Sequence, residues 1–378
     1  MSNFLRRLPL SRLLLLCVVL VSAGIAATAL ASALGVGPTP PPKPLAGAVH
    51  DALAAQPVEG VSAQVQLTNH LLEGASLASG DGEASQLTSS PLLSGASGRL
   101  WISKDGRVRM ELQSEKGDTQ VYYDGHTVSM YDASSNTLYR YTPPQEGEGS
   151  EGGSGSTGNS DTLGTVTDYK IPTVAKVEEA IAHLSKHANV SGATPTDVAG
   201  QAAYTVRVSP NESGSLLAGA ELSWDAVHGV PLRAAIYSTE SAAPVLELAA
   251  TSIAYGPVEP SVFEFTPPAN AKVEEVVLPK PGEHPGGSAQ VGEHEHPHVI
   301  THGDGPGTIA VLESKAKPGA SSQSPLPEGL QQVKINGVTA SELPTELGTL
   351  LTFERAGVRY LIAGAVAPGA VEAVAKGL

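Results

Sequence analysis

The segment Arg107-Val108-Arg109-Met110-Glu111-Leu112-Gln113 alternates polar and apolar side chains with a period of two. That period is typical of a β-strand with one buried and one solvated face. Asp105-Gly106 comes before this segment and Asp124-Gly125 comes after it. Both dipeptides tolerate the positive φ that hairpin turns need. The range 98–141 is therefore predicted to be an antiparallel meander.

A second meander is predicted after one amphipathic helix. The helix begins near Pro172-Thr173, and one of its faces carries Val174, Val177, Ile181 and Leu184. Strands are then predicted over 203–208, 218–224, 231–238 and 245–255. A short helix over 45–55 and a strand over 60–68 precede both meanders. The chain is thus expected to be mainly antiparallel β.

Length and charge limit the function classes. The chain has 378 residues, 16% of them charged and 4% aromatic, with a formal net charge of −15. This length suffices for two domains with real cores. Nucleic-acid binding is not expected, because neutralising phosphates requires clustered Lys and Arg.

The N-terminal residues 1–36 have the pattern of an export segment. Arg6, Arg7 and Arg12 precede a long uncharged run, so the remainder is expected on the extracytoplasmic side of the membrane. Ala-x-Ala matches at 27–29 and 31–33 favour a cleaved signal peptide, whereas the length of the run favours a retained membrane-anchoring helix. Both alternatives stay open. Cys17 is the single cysteine, so no disulfide is predicted.

Composition divides the rest of the chain. A Pro-rich spacer at 37–44 leads into a large domain at 45–278, interrupted by a Gly/Ser/Glu insertion at 145–163 that is expected to be disordered. A His/Pro/Gly linker at 279–307 separates it from a small α+β module at 308–378.

The order of elements in the large domain resembles the lipoprotein-carrier (LolA-like) superfamily. The resemblance is carried by Arg99 to Tyr141, by Trp224-Asp225 through Gly229-Val230-Pro231-Leu232, and by Phe263-Glu264-Phe265-Thr266-Pro267-Pro268. It implies a curved, half-open β-barrel covered by α-helices that binds acyl chains in an apolar cavity. With the C-terminal module, the plan is similar to that of the RseB/MucB regulators. That second resemblance implies a sensor that binds a lipid-like ligand and a membrane-bound anti-sigma factor.

An apolar face larger than two helices can cover predicts a cavity. The candidate cavity residues are Trp101, Met110, Leu112, Val128, Met130, Val177, Ile181, Leu184, Leu222, Trp224 and Ile236. A fully packed core without a cavity is the alternative. Two leucine pairs, Leu71-Leu72 and Leu92-Leu93, are candidate lid residues, or else they are buried where the loop joins the sheet.

Candidate metal ligands lie only in the linker. His294, His296 and His298 have a spacing that imidazole-binding metals can use, although a solvated polar linker explains them as well. No nucleophile elbow, P-loop or His-Glu-x-x-His motif is present, so neither catalysis nor a cofactor is expected. We predict an exported carrier or holder of a lipid or acylated protein, with a stress sensor as the alternative. A scaffold without a ligand is a third interpretation.

Overall fold

A computed structural model describes residues 37–73, 91–115, 117–143, 171–276, 298–315 and 329–378. The predicted export segment at 1–36, the insertion at 145–163 and the linker up to residue 297 lie outside the described residues. Within the described ranges, no helix is long and apolar enough to cross a membrane.

The first half of the large domain is a meander preceded by one helix and one strand. Its elements are α1 (Leu45–Ala54), β1 (Gly60–Asn69), α2 (Pro91–Ser94), β2 (Ala96–Ser103), β3 (Val108–Ser114), β4 (Gly117–Tyr123), β5 (Val128–Asp132) and β6 (Thr137–Tyr141). Gly106 and Gly125 have the positive φ expected of them at the hairpin turns. The period-two pattern therefore forms strands as predicted.

The second half begins with helix α3 (Val174–Leu184), where the Thr173 side chain accepts a hydrogen bond from the Lys176 amide. The strands that follow are β7 (Ala188–Val190), β8 (Thr194–Val198), β9 (Gln201–Pro210), β10 (Leu217–Asp225), β11 (Pro231–Ser238), β12 (Pro244–Tyr255) and β13 (Lys272–Glu275). A 3-10 turn at Pro260–Phe263 connects the last two.

All thirteen strands form one sheet in the order β13-β6-β5-β4-β3-β2-β1-β12-β11-β10-β9-β7, with β8 also paired to β9. The antiparallel pairing of β1 with β12 joins the two meanders. Register shifts at Gln64/Val65, Ser223/Trp224 and Ile236/Tyr237 bend and twist the strands. Within the described residues the two end strands do not meet, so the curved sheet stays open and is mainly antiparallel, as the sequence predicts.

The C-terminal module is a second sheet covered by one helix. It contains β14 (His298–His302), β15 (Ile309–Lys315), β16 (Gln331–Ile335), β17 (Val338–Thr345), β18 (Gly348–Arg355), β19 (Val358–Gly364) and α4 (Pro368–Gly377). The strand order is β14-β15-β19-β18-β17-β16. Val371 and Ala375 of α4 are fully buried in its core. Strand β14 falls inside the range predicted as a linker, because a short edge strand between prolines and glycines leaves little pattern in the sequence.

Candidate functional site

We call the face of the large sheet that α1 covers the inner face. Two neighbouring rows of aliphatic side chains cross this face from β9 to β12. The first row consists of Val206, Leu222, Ala234 and Leu248, which are aligned by the strand register. The second row, two residues away on each strand, consists of Val208, Ala220, Ile236 and Leu246. β1 extends the rows with Leu67 and Asn69.

The helices cover the inner face only beside these rows. On α1, Ala48 is buried against Tyr204 and Trp224, the residues next to the first row. Helix α3 packs on α1. It buries Val177, while Leu184 is 44% exposed. Val206, at the β9 end of the first row, packs against this cluster, whereas the rest of the two rows lies beyond the cover that α1 supplies.

The uncovered rows form an apolar groove of about 510 Å³. Leu222 is 42% exposed although its strand is paired on both sides, and Ala220 and Ala234 are exposed with it. Leu67 and Leu92 also line the groove at the β1 side. Aliphatic surface left open in the middle of a sheet is typical of a binding site for an apolar ligand.

Asn69 fixes the rim of the groove. Its Nδ2 donates to the Leu92 carbonyl oxygen at 2.7 Å, and its Oδ1 accepts from the Leu71 amide at 2.8 Å. The chain segments that leave β1 and enter α2 are thereby tied together at the groove edge.

The same rim contacts the C-terminal module. The Glu346 amide donates to the Leu71 carbonyl oxygen at 3.0 Å. Leu72 packs against Leu330 and Leu343 of the module. Directly before β10, the Leu216 amide donates to the Ala365 carbonyl oxygen at 2.7 Å. We call these contacts the seam; they lie at the ends of the strands nearest the second row.

The outer face behind the groove is polar. Glu221 accepts from Arg233 Nη1 at 2.8 Å, from Tyr237 Oη at 2.8 Å and from Arg207 Nη1 at 3.1 Å. Arg233 also donates to Glu247 at 2.9 Å. Burial raises the pKa of Glu221, but these donors together outweigh it and the net pKa is lowered. The Glu and Arg side chains of this network stay charged, so the outer face is polar. An apolar ligand would therefore bind on the inner face.

A second polar cluster fixes the turn after β10. Asp225 is 2% exposed and accepts hydrogen bonds from the amides of Val227 and His228 and from Tyr255 Oη. Burial is the largest influence on the Asp225 pKa and raises it, but the hydrogen bonds together lower it. The carboxylate is fully engaged, which indicates a structural role.

The structure places the predicted cavity residues in four locations, the last of which, for Trp101, is the outer face. Leu222 and Ile236 line the groove, and so does Leu92 from the lid candidates. Met110, Leu112, Val128 and Met130 share the inner face but lie on β3 and β5, where Leu112 is buried in a packed cluster. Trp224 lies on the inner face under α1, while Val177, Ile181 and Leu184 are on α3.

Trp101 is on the outer face, because the register pairs it with Arg109 while its neighbour Leu100 pairs with Met110. Arg109 lies 5.8 Å from the Trp101 ring and donates to the Val262 carbonyl oxygen at 2.6 Å. Phe265 stacks on Tyr122 nearby, with ring centroids 4.3 Å apart. The chain after β12 thus covers the outer face of the first meander. Of the other lid candidates, Leu71 and Leu72 contact the C-terminal module and Leu93 is half-buried on α2.

The described residues contain no group of three or more His, Cys, Asp or Glu side chains that could hold a metal ion. His294 and His296 lie outside the described residues, and His298 begins β14. The metal prediction for the linker stays a prediction.

The sequence predicted only two of the eight residues in the two rows, Leu222 and Ile236. Val206 and Val208 belong to an alternating pattern that was used only to predict a strand. Ala220 and Ala234 carry little signal, because alanine is equally common in packed cores. Their small side chains nevertheless create the space, since they form the floor between larger neighbours.

One family model matches part of the chain. A family model described as "Predicted periplasmic protein (DUF2092)" matches residues 78–148. A comparison with curated proteins finds no match. The predicted exported, extracytoplasmic location agrees with the description of this family.

Several solved structures are similar to the chain. The structure of the MucA/MucB complex of Pseudomonas aeruginosa matches with 14% identity and a TM-score of 0.40, over 88% of this chain and 96% of that chain. A putative outer membrane lipoprotein-sorting protein domain from Vibrio parahaemolyticus matches with 10% identity and a TM-score of 0.24, over 58% and 95%. A LolA superfamily protein from Nitrosomonas europaea matches with 7% identity and a TM-score of 0.23, over 59% and 98%. These structures come from the two groups of proteins that the sequence was predicted to resemble, at 7–14% identity.

Proposed function

We propose that this envelope protein binds acyl chains non-covalently in the groove and carries or holds a lipid or acylated protein, without catalysing a reaction. The observation that carries the proposal is the exposure of Leu222, Ala220 and Ala234 in the middle of the inner face. Leaving aliphatic surface in water is unfavourable by about 25 cal/mol per Å². A bound hydrocarbon chain would remove that cost.

The chemistry of the lining favours a hydrocarbon ligand. The groove is lined mainly by Leu, Ile, Val and Ala of five strands and by Leu92 of α2. Glu221 and Glu247 also line it, but their carboxylates accept hydrogen bonds from Arg233 on the outer face. Each buried methylene contributes about 0.8 kcal/mol. The amide of Asn69 is already engaged in two hydrogen bonds, so affinity would come from apolar burial.

A sensor that binds a membrane-bound regulator is the second candidate, and the seam favours it. Asn69 lines the groove, whereas Leu71 and Leu72, directly after it, contact the C-terminal module. A ligand that displaces the rim would alter these contacts and thus change the surface that the module offers a partner. The carrier proposal needs no such coupling.

Native mass spectrometry with lipid extraction tests the proposal on the full chain purified from its own host. We expect a mass increment that disappears on extraction, with an acylated molecule in the extract and no change in covalent mass. Replacing Leu222 with Gln should reduce the loaded fraction. A chain that is always empty, or loaded equally with Leu222→Gln, would contradict the proposal. An empty wild-type chain that captures a transmembrane protein would support the sensor instead.

A further inference from the structure

We infer that the groove holds one acyl chain of about sixteen to eighteen carbons, lying across the strands, so that the protein selects single-chain amphiphiles over lipids that must bury two chains. The inference rests on the proposed function and specifies its ligand class. The volume, the width and the length of the groove each support the binding of a single acyl chain.

The volume matches one chain. A methylene group fills about the same space as a water molecule, whose share of liquid volume is roughly 30 Å³. The groove of about 510 Å³ therefore holds roughly 17 such groups. Two chains of membrane length would need twice this space.

The width also matches one chain. The two rows are separated by two residues along each strand, for example Leu222 and Ala220, a distance of about 7 Å. Aliphatic atoms make contact at about 4 Å. One chain can therefore touch both rows at once, whereas two chains side by side could not both lie between them.

The length of the groove also matches one acyl chain, which would end at the β1 side. From β9 to β1 the rows cross four strand spacings, about 19 Å in total. One leaflet of a bilayer core is about 15 Å thick, so a single membrane-length chain fits along the groove. At β1, Leu92 lines the groove and packs against the buried cluster that includes Val65 and Ala96, so we assign it as the end wall.

Lipid displacement on the full-length protein tests the inference. A fluorescent fatty acid is displaced by lysophosphatidylcholines with ten to twenty acyl carbons, and separately by diacyl phosphatidylcholines, all below their micelle-forming concentrations. We expect affinity to rise up to about fourfold for each added methylene, then to level off near sixteen to eighteen carbons. A diacyl lipid should bind no more tightly than the lysolipid with the same chain.

The two proposals fail in different ways. Affinity that keeps rising up to twenty carbons, or diacyl binding tighter than lysolipid binding, would overturn the single-chain inference and leave acyl binding intact. If no lipid of either kind displaces the probe, both proposals are wrong.

A variant at the closed end gives a second test. Leu92→Ala should move the levelling-off point toward longer chains, because three side-chain carbons are removed from the end wall. Leu93→Ala is the matched control on the same helix, and its profile should remain that of the wild type. A folded Leu92→Ala protein with an unshifted profile would contradict the assignment of Leu92 as the end of the groove.

Discussion

Replacing Leu222 with Gln should weaken acyl binding strongly while leaving the fold almost unchanged. Leu222 is 42% exposed in the free protein, and a bound chain would cover that part. Fully burying a leucine contributes about 1.5–3 kcal/mol, so the exposed part contributes about 0.6–1.3 kcal/mol to binding. A Gln amide covered by hydrocarbon without a partner costs about 1–3 kcal/mol more. The total loss is about 2–4 kcal/mol, or roughly 30- to 700-fold in Kd.

Leu53 supplies a matched control, because it is the same residue type with the same exposed fraction, 42%, but lies on α1 outside the groove. Displacement of a fluorescent fatty acid would be measured for Leu222→Gln and Leu53→Gln, together with the thermal midpoint of each. We expect weakened binding in the first variant only, with both proteins folded. Equal affinities in the two variants would refute the assignment of the groove as the ligand site.

Three further predictions concern stability. Glu342 is 2% exposed. Its burial and the nearby Glu372 raise the pKa of its carboxyl, and although Lys376 opposes them, the net pKa is raised. The stabilising effect of Glu342 is therefore present below pH 4.5 and is lost as the pH rises through the folded-state pKa. Glu342→Gln should thus raise the free energy of unfolding of the module by about 1 kcal/mol at pH 8. Urea unfolding should show no such gain at pH 4. The pKa of Asp225 is lowered in the fold, so its contribution is present above pH 3.8 and lost on acidification. Asp225→Asn should cost about 1–3 kcal/mol at pH 7 and less at pH 3, and an equal loss at both values would contradict this. Leu72→Asn should loosen the seam and speed hydrogen exchange of the Glu346 amide, which donates to Leu71; unchanged exchange would show that the leucine does not hold the module.

The sequence predicts the strands of this protein well because their signal is local. The alternation at 107–113 and the turns at Gly106 and Gly125 are formed within a few residues of each other. The parallel pairing of β13 with β6 left no such signal, since it joins segments more than a hundred residues apart. The short strands β7 and β14 were missed for a related reason, because three to five residues carry too little periodicity.

The site was harder to predict than the fold. Alternation assigns Leu222 and Ile236 to an apolar face, but it does not show which part of that face the helices leave open. That depends on where α1 docks, and α1 covers Trp224 instead of Leu222. Trp101 was also hard to place from the sequence. Its large aromatic side chain suggested a cavity residue, but the strand register puts it on the outer face, where Arg109 lies over its ring.

Crystallography with a fatty acid that carries bromine at its methyl end and along its chain tests the central claim most directly. Anomalous scattering would locate the bromine atoms without assumptions about the ligand. The account predicts peaks from a single chain between the row of Leu222 and the row of Ile236, with the methyl end near Leu92. A groove without bromine peaks, or bromine on another surface of the saturated protein, would contradict it.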